Sequence, residues 1–183
     1  MPGTATEADL LRFVEHDKHL CELIDGTLVE KPVGIWESLI ATNLSAILVA
    51  YVRAQGLGAV FGADSTMRMK SGRIRLPDVS FVSTKRMPKT LDPIPTLAPD
   101  LAVEILSESN TTAEMDLKLI EYFESGTRLV WFIDPRPRTV AVYHQPGKPT
   151  TILNEQSILD GEQVLPSLTI AVSELFRNVP RGE

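Results

Sequence analysis

The sequence predicts an α/β protein, a small mixed sheet flanked by helices. Three observations carry that prediction. Two apolar runs, Leu76–Val82 and Leu101–Leu106, consist largely of strand formers, and each holds one acid, Asp78 in the first and Glu104 in the second. Two longer stretches, Trp36–Ala54 and Thr112–Ser125, place apolar residues at helical spacing. The resulting order of strand pair, strand, helix and strand suits a single mixed sheet with helices packed on it.

Taken in order, the chain opens with a helix that Thr6 is suited to cap. Glu7 and Asp9 are favourable in its first turn, and Leu10, Leu11, Phe13 and Val14 face the core. His16 and His19 flank Asp17 in the loop expected beyond it, too sparse a set for a structural metal site. Glu22–Lys31 reads as a hairpin, because Asp25-Gly26 suits a tight turn between short apolar runs. In the helix Trp36–Ala54, Ile40, Leu44, Ile47, Leu48 and Tyr51 form the stripe, Glu37 sits in the first turn, and Gly56 is the stop. Val60–Phe61 and Ser65–Met69 are short strands, and Ser71-Gly72 is a turn before Ile74.

Four prolines between Lys85 and Pro99 exclude a regular element there, leaving a stiff loop long enough to reach over a substrate or a partner subunit. Asn110, Thr111 or Thr112 caps the helix that ends at Gly126, with Met115, Leu119, Tyr122 and Phe123 as its buried stripe. Glu114, Lys118 and Tyr122 recur every four residues and share the neighbouring face. Arg128–Asp134, Thr139–Gln145 and Thr151–Leu153 read as strands, and Leu165–Leu168 with the amphipathic Ile170–Phe176 closes the core.

A length of 183 residues is one domain's worth, and residues 1–183 are expected to form a single domain. No apolar run is expected to approach a membrane span, and the N-terminal M-P-G-T-A-T-E lacks the pattern of a signal peptide. One cysteine, Cys21, excludes an internal disulfide and fits a reducing cytoplasm. The net charge of −6 argues against a non-specific nucleic-acid coat protein. Between Arg68 and Lys89, however, seven basic residues face the single acid Asp78. That stretch is either a phosphate-binding surface or a solvated basic hairpin. Other chemistries are poorly served: there is no glycine-rich phosphate loop, no G-x-S-x-G, and no histidine partner evident for Cys21.

Asp78 and Glu104 admit two readings. A carboxylate within an apolar strand either faces solvent or is buried at a cost that hydrogen bonds, a counter-charge or a metal must offset. Two such acids on adjacent strands would repel unless a cation lay between them, and carboxylate oxygens suit Mg2+ or Mn2+.

The phrases L-P-D-V-S-F-V (Leu76–Val82), V-E-I-L-S-x-S-N-T (Val103–Thr111), K-L-x-x-Y-x-x-x-G (Lys118–Gly126) and L-V-W-F-I-D-P (Leu129–Pro135) decide between them. With C-E-L-I-D-G-T-L-V-E-K-P upstream (Cys21–Pro32), their order and spacing resemble the Uma-type restriction endonuclease family of the PD-(D/E)XK nuclease superfamily, over about Thr6 to Leu175. The resemblance implies a restriction-endonuclease-like core and a metal-dependent endonuclease that hydrolyses phosphodiester bonds, with DNA as its partner. It further implies Mg2+ or Mn2+ held by Asp78, Glu104 and the main-chain carbonyl of Ile105. In that superfamily a lysine normally stands two residues after the second acid; here that place is Leu106, and Lys118 on the following helix matches the substitute the family uses. An extra acid on the helix before the sheet is also implied, for which Glu37 is the first candidate and Glu22 the second. Glu114 stands where the family more often carries aspartate.

Two further expectations follow. Cutting both strands of a duplex calls for two sites, so a homodimer is expected, with Lys85–Pro99 and Val172–Phe176 as interface candidates. The rival from another class is a binding module that keeps the nuclease fold without activity, a reading that Leu106 and the acidic net charge favour.

Overall fold

The computed structural model describes residues 3–181 apart from 18, 32 and 33, so Pro32, the last residue of the upstream phrase, lies outside the described residues. Helix α1 (Glu7–Asp17) is capped by Thr6, whose hydroxyl accepts from the Asp9 amide at 3.3 Å while Asp9 reaches back to the Thr6 amide at 2.9 Å. The helix carries His16 within it, not in a loop beyond it. Asp25 and Gly26, with φ of 48° and 73°, turn β1 (Cys21–Ile24) back on β2 (Thr27–Glu30), as the Asp-Gly pair predicts.

Helix α2 (Ile35–Gln55) stops at Gly56 in the left-handed region. It corrects the expectation that no apolar run nears a membrane span, being long and apolar enough for one by length and composition. Here its stripe Ile40, Leu44, Leu48 and Val52 belongs to the same core cluster as Val79, Phe81, Val103 and Trp131 of the sheet. Each fully buried aliphatic or aromatic side chain in such a core contributes about 1.5–3 kcal/mol.

The central sheet has six strands in the order β10-β9-β8-β7-β6-β3. They are β3 (Gly58–Gly62), β6 (Val79–Ser83), β7 (Leu101–Ile105), β8 (Leu129–Asp134), β9 (Thr139–Tyr143) and β10 (Thr151–Leu153). The pair β7 and β8 is parallel and all other neighbours are antiparallel. A parallel pair needs a crossover, and α3 (Thr112–Ser125) supplies it. The Thr111 hydroxyl caps α3 by accepting from the Glu114 amide at 3.2 Å, and Gly126, at φ 99°, ends it.

Because strand side chains alternate, the sheet has two cores. Val103, Ile105 and Trp131 face α2, whereas Ala102, Val130 and Phe132 pack with Met115, Leu119 and Tyr122 of α3. Glu104 therefore points toward α3. A second, four-stranded sheet runs β2-β1-β5-β4, with β4 (Met67–Arg68) and β5 (Ile74–Arg75). At the C-terminal end β11 (Ile158–Asp160) pairs with β12 (Thr169–Ala171), and α4 (Val172–Leu175) follows. The sequence reading missed both strands, which are three residues long and have no room for a period to show.

One expectation about surfaces is corrected and one is narrowed. Ile94, Leu97 and Ala98 of the proline-rich loop are buried, and Arg68 exchanges main-chain bonds with Pro95 and Leu97, which ties that end of the loop to its own chain, whereas Leu91 is fully exposed. Val172, Leu175 and Phe176 are likewise in the core, which removes them as an interface candidate.

Candidate active site

Asp78 stands immediately before β6, and Glu104 is the fourth residue of β7. The register Val79↔Val103 brings them to the same end of the sheet. Asp78 Oδ2 accepts the Ile105 amide at 2.6 Å, which ties the first acid to the strand of the second. Glu104 is 3% exposed, so the solvent-face reading of this acid fails. Its Oε1 accepts the Tyr122 hydroxyl at 2.5 Å and its Oε2 lies 3.3 Å from Lys118 Nζ. Spacing put Lys118 and Tyr122 on one face of α3; the crossover lays that face over Glu104.

Of the two candidates for the extra acid, Glu22 is the one wired into the cluster. It projects from β1, is buried, and lies 3.5 Å from Lys118 Nζ. Its Oε1 accepts the Leu76 amide at 3.2 Å, and its Oε2 pairs with Arg75 at 2.6 Å. Glu37 lines the same cleft from the first turn of α2, its carboxylate folded back against Gly34. Glu114 sits at the rim, 3.9 Å from Lys118, and accepts from Asn110, whose side chain also closes the Ser107–Asn110 turn.

Two further cations belong to the cluster: Lys31, which the sequence did not single out, and Arg75, which it placed in the basic stretch. Lys31, at the end of β2, pairs with Asp78 Oδ1 at 2.8 Å. Arg75 is fully buried and bridges Glu22 to Glu121, each at 2.6 Å. The basic stretch is corrected accordingly. Arg68 pairs with Glu7, Arg73 with Asp25 and Glu121, and Arg86 with Asp100, so its arginines serve the fold, while Lys70, Lys85 and Lys89 remain exposed.

Electrostatics mark Glu104 as the strained member. Burial pushes its carboxyl up further than Lys118 and Lys31 pull it down. Lys118 loses solvent as well, but Glu104 and Glu22 outweigh that loss and raise its pKa, so it stays an ammonium. Burial would raise Glu22 too; there Lys118, Arg75 and the Leu76 amide prevail and hold it below the usual carboxylate range. Tyr122, buried against the Glu104 charge, is raised well above the ordinary phenol value and remains a donor.

No three His, Cys, Asp or Glu side chains are grouped as a metal site among the described residues. The donor set nonetheless suits a hard cation. Asp78, Glu104 and Ile105 line a cleft of about 50 Å³, room for a small ion or one or two waters. Mg2+ keeps several waters and takes one or two carboxylates, not a full protein cage. A carboxylate whose charge burial disfavours also gains most from a cation beside it.

Comparison with known proteins agrees with this architecture. The model of the family described as "Uma2: Putative restriction endonuclease" matches residues 7–173. A crystal structure described as "a putative nuclease belonging to DUF820" from Anabaena variabilis superposes with a TM-score of 0.77 at 23% identity, covering 87% of this chain and 91% of that one. It shares the restriction-endonuclease-like fold. The DrdV–DNA complex gives a TM-score of 0.38 at 15% identity, over 60% of this chain and 9% of that one. Comparison with curated proteins gives no match. With the family model spanning all but the two ends, the chain belongs to the Uma2 family.

Proposed function

We propose that the protein is a metal-dependent phosphodiester hydrolase, an endonuclease acting on DNA. One observation carries this reading: Glu104 is buried beside Asp78 at one end of the sheet and held from α3 by Lys118 and Tyr122. Asp78, Glu104 and the Ile105 carbonyl would hold Mg2+ or Mn2+, which supplies an activated water and charge neutralisation on the phosphate. Lys118, fixed as an ammonium, would stabilise the negative charge that develops on the phosphoryl oxygens. Tyr122 orients Glu104 by donating to one oxygen and leaving the other to Lys118. Glu22 is a positioning residue that helps to fix Lys118; Glu37, which lines the cleft, is the further acid that would reach a water of the ion.

A homodimer would give the two sites that a double-strand cut needs. The lone Cys21 suits a cytoplasmic setting.

A second reading is a nucleic-acid- or protein-binding module that keeps the fold without the chemistry. The charge balance favours it, since Arg75, Lys118 and Lys31 already face Glu22, Glu104 and Asp78. The two readings part on ion binding. In the nuclease, Mg2+ or Mn2+ raises the melting temperature and Asp78→Ala abolishes the rise. In the module, neither ion moves the transition.

A further inference from the structure

Lys31 sits on the oxygen that a divalent ion would use. Asp78 Oδ2 is committed to the Ile105 amide, which leaves Oδ1 as the oxygen without a main-chain bond, and Lys31 Nζ lies 2.8 Å from it. The same ammonium donates to the Leu76 carbonyl.

The three cations of the cluster differ in their freedom to move. Arg75 is wholly buried between Glu22 and Glu121. Lys118, its side chain 5% exposed, is surrounded by Glu22, Glu104 and Glu114. Among the described residues Lys31 has one carboxylate partner, and it has an 11% exposed side chain and a place in the wall of the open cleft. A lysine on a flexible four-carbon stem released from Asp78 needs only a few bond rotations to reach the cleft mouth.

We propose that Lys31 is a second lysine of the candidate site: it holds Asp78 Oδ1 as a resident counter-cation, yields it to the divalent ion, and then turns to the substrate phosphate. The inference rests on the metal-site reading above. An ammonium and a divalent ion at contact distance from one carboxylate oxygen repel each other, so the two occupy it by turns. The displaced ammonium then needs an anion, and a phosphodiester entering the cleft is one. Lys31 thereby couples ion binding to substrate binding. It is distinct in role from Lys118, which its three carboxylates keep in place.

The test is the affinity of the full-length chain for Mn2+, read by electron paramagnetic resonance of the free ion, in wild type, Lys31→Met and Lys31→Arg. With its competitor removed, Lys31→Met should bind Mn2+ about tenfold more tightly, the scale of one close charge pair. Lys31→Arg keeps the charge and should bind as wild type does; cooperative thermal unfolding of both variants confirms that they fold. At saturating Mn2+, DNA cleavage by Lys31→Met should nevertheless fall about tenfold or more, with Lys31→Arg retaining part of it. Equal or weaker Mn2+ binding by Lys31→Met overturns the proposal and leaves the metal site standing. Tighter binding with unchanged turnover overturns the phosphate role. Absence of Mn2+ binding in all three proteins overturns the proposal and the metal-site reading together.

Discussion

Lys118 Nζ stands 3.3 Å from Glu104 Oε2, although fourteen residues and a change from strand to helix separate the two. The Ser107–Asn110 turn and the Thr111 cap set where α3 starts, and its second turn then lies over the end of β7. Leu106, in the place where a PD-(D/E)XK lysine would stand, is partly buried against the α3-side core. The strand carries no lysine at Leu106, and the helix brings one to the Glu104 carboxylate.

That contact gives Lys118 a structural role beside the catalytic one proposed for it. Lys118→Met leaves Glu22 and Glu104 buried with one fewer cation, and should lower stability by about 3 kcal/mol or more in urea denaturation without added metal. Saturating Mg2+ should restore part of the loss, because the ion meets the same charge. An unchanged midpoint would mean that the lysine is not compensating these acids.

Tyr122→Phe tests the other oxygen of Glu104. The loss of a donor to a buried carboxyl should lower stability by about 1.5–3 kcal/mol. Turnover should fall less than in Lys118→Met, since in the proposed site the hydroxyl only orients Glu104 and Lys118 is the group that meets the phosphate. Equal turnover losses in the two variants would contradict this division of labour.

Asp100 is one of the buried carboxyls that shape the acid limb of stability. Burial alone would raise its carboxyl, but the Ser83 amide and the Arg86 guanidinium outweigh burial and hold it below the ordinary value. A depressed folded-state pKa gives stability that is fully present above the unfolded value, about 4, and lost as pH falls through the folded one. Asp100→Asn should therefore be less stable than wild type at neutral pH, and the gap should close on acidification. Urea midpoints at pH 7 and pH 3 measure it; a gap that widens toward pH 3 would reverse the sign argued here.

Much of this was legible in the sequence, and particular residues show where legibility ends. The Lys118–Tyr122 face was readable from helical spacing, whereas Asp78 and Glu104 stood out only as acids in apolar runs, and the resemblance of the surrounding phrases decided how to read them. Asp25-Gly26 and Gly126 announced their turns through the left-handed backbone that each adopts. Glu22 ranked below Glu37 because its environment depends on β5 packing beside β1, a pairing of two-residue and four-residue strands with no local signature. Arg73 and Arg75 looked like phosphate ligands because the sequence counts charges but not their partners, Asp25, Glu22 and Glu121, about fifty residues away.

That correction carries its own expectation. Arg75→Met removes a guanidinium bridging two buried carboxylates and should lower stability by about 3–5 kcal/mol. Exposed Lys85 and Lys89 should instead affect DNA binding through its salt dependence, each shallowing the slope by about one counterion when replaced by alanine. Binding titrations across salt concentration separate the two classes. A change in slope from Arg75→Met in folded protein would return it to the phosphate surface.

The central claim is that Asp78 and Glu104 make a metal-dependent nuclease site, and cleavage of duplex DNA by purified wild type, Asp78→Ala and Glu104→Gln tests it most directly. The account predicts phosphodiester hydrolysis by wild type with Mg2+ or Mn2+, none in EDTA, and a loss of about a hundredfold or more in both variants. Wild-type protein that binds DNA yet leaves it intact with both ions, or variants that cut as fast as wild type, would contradict it.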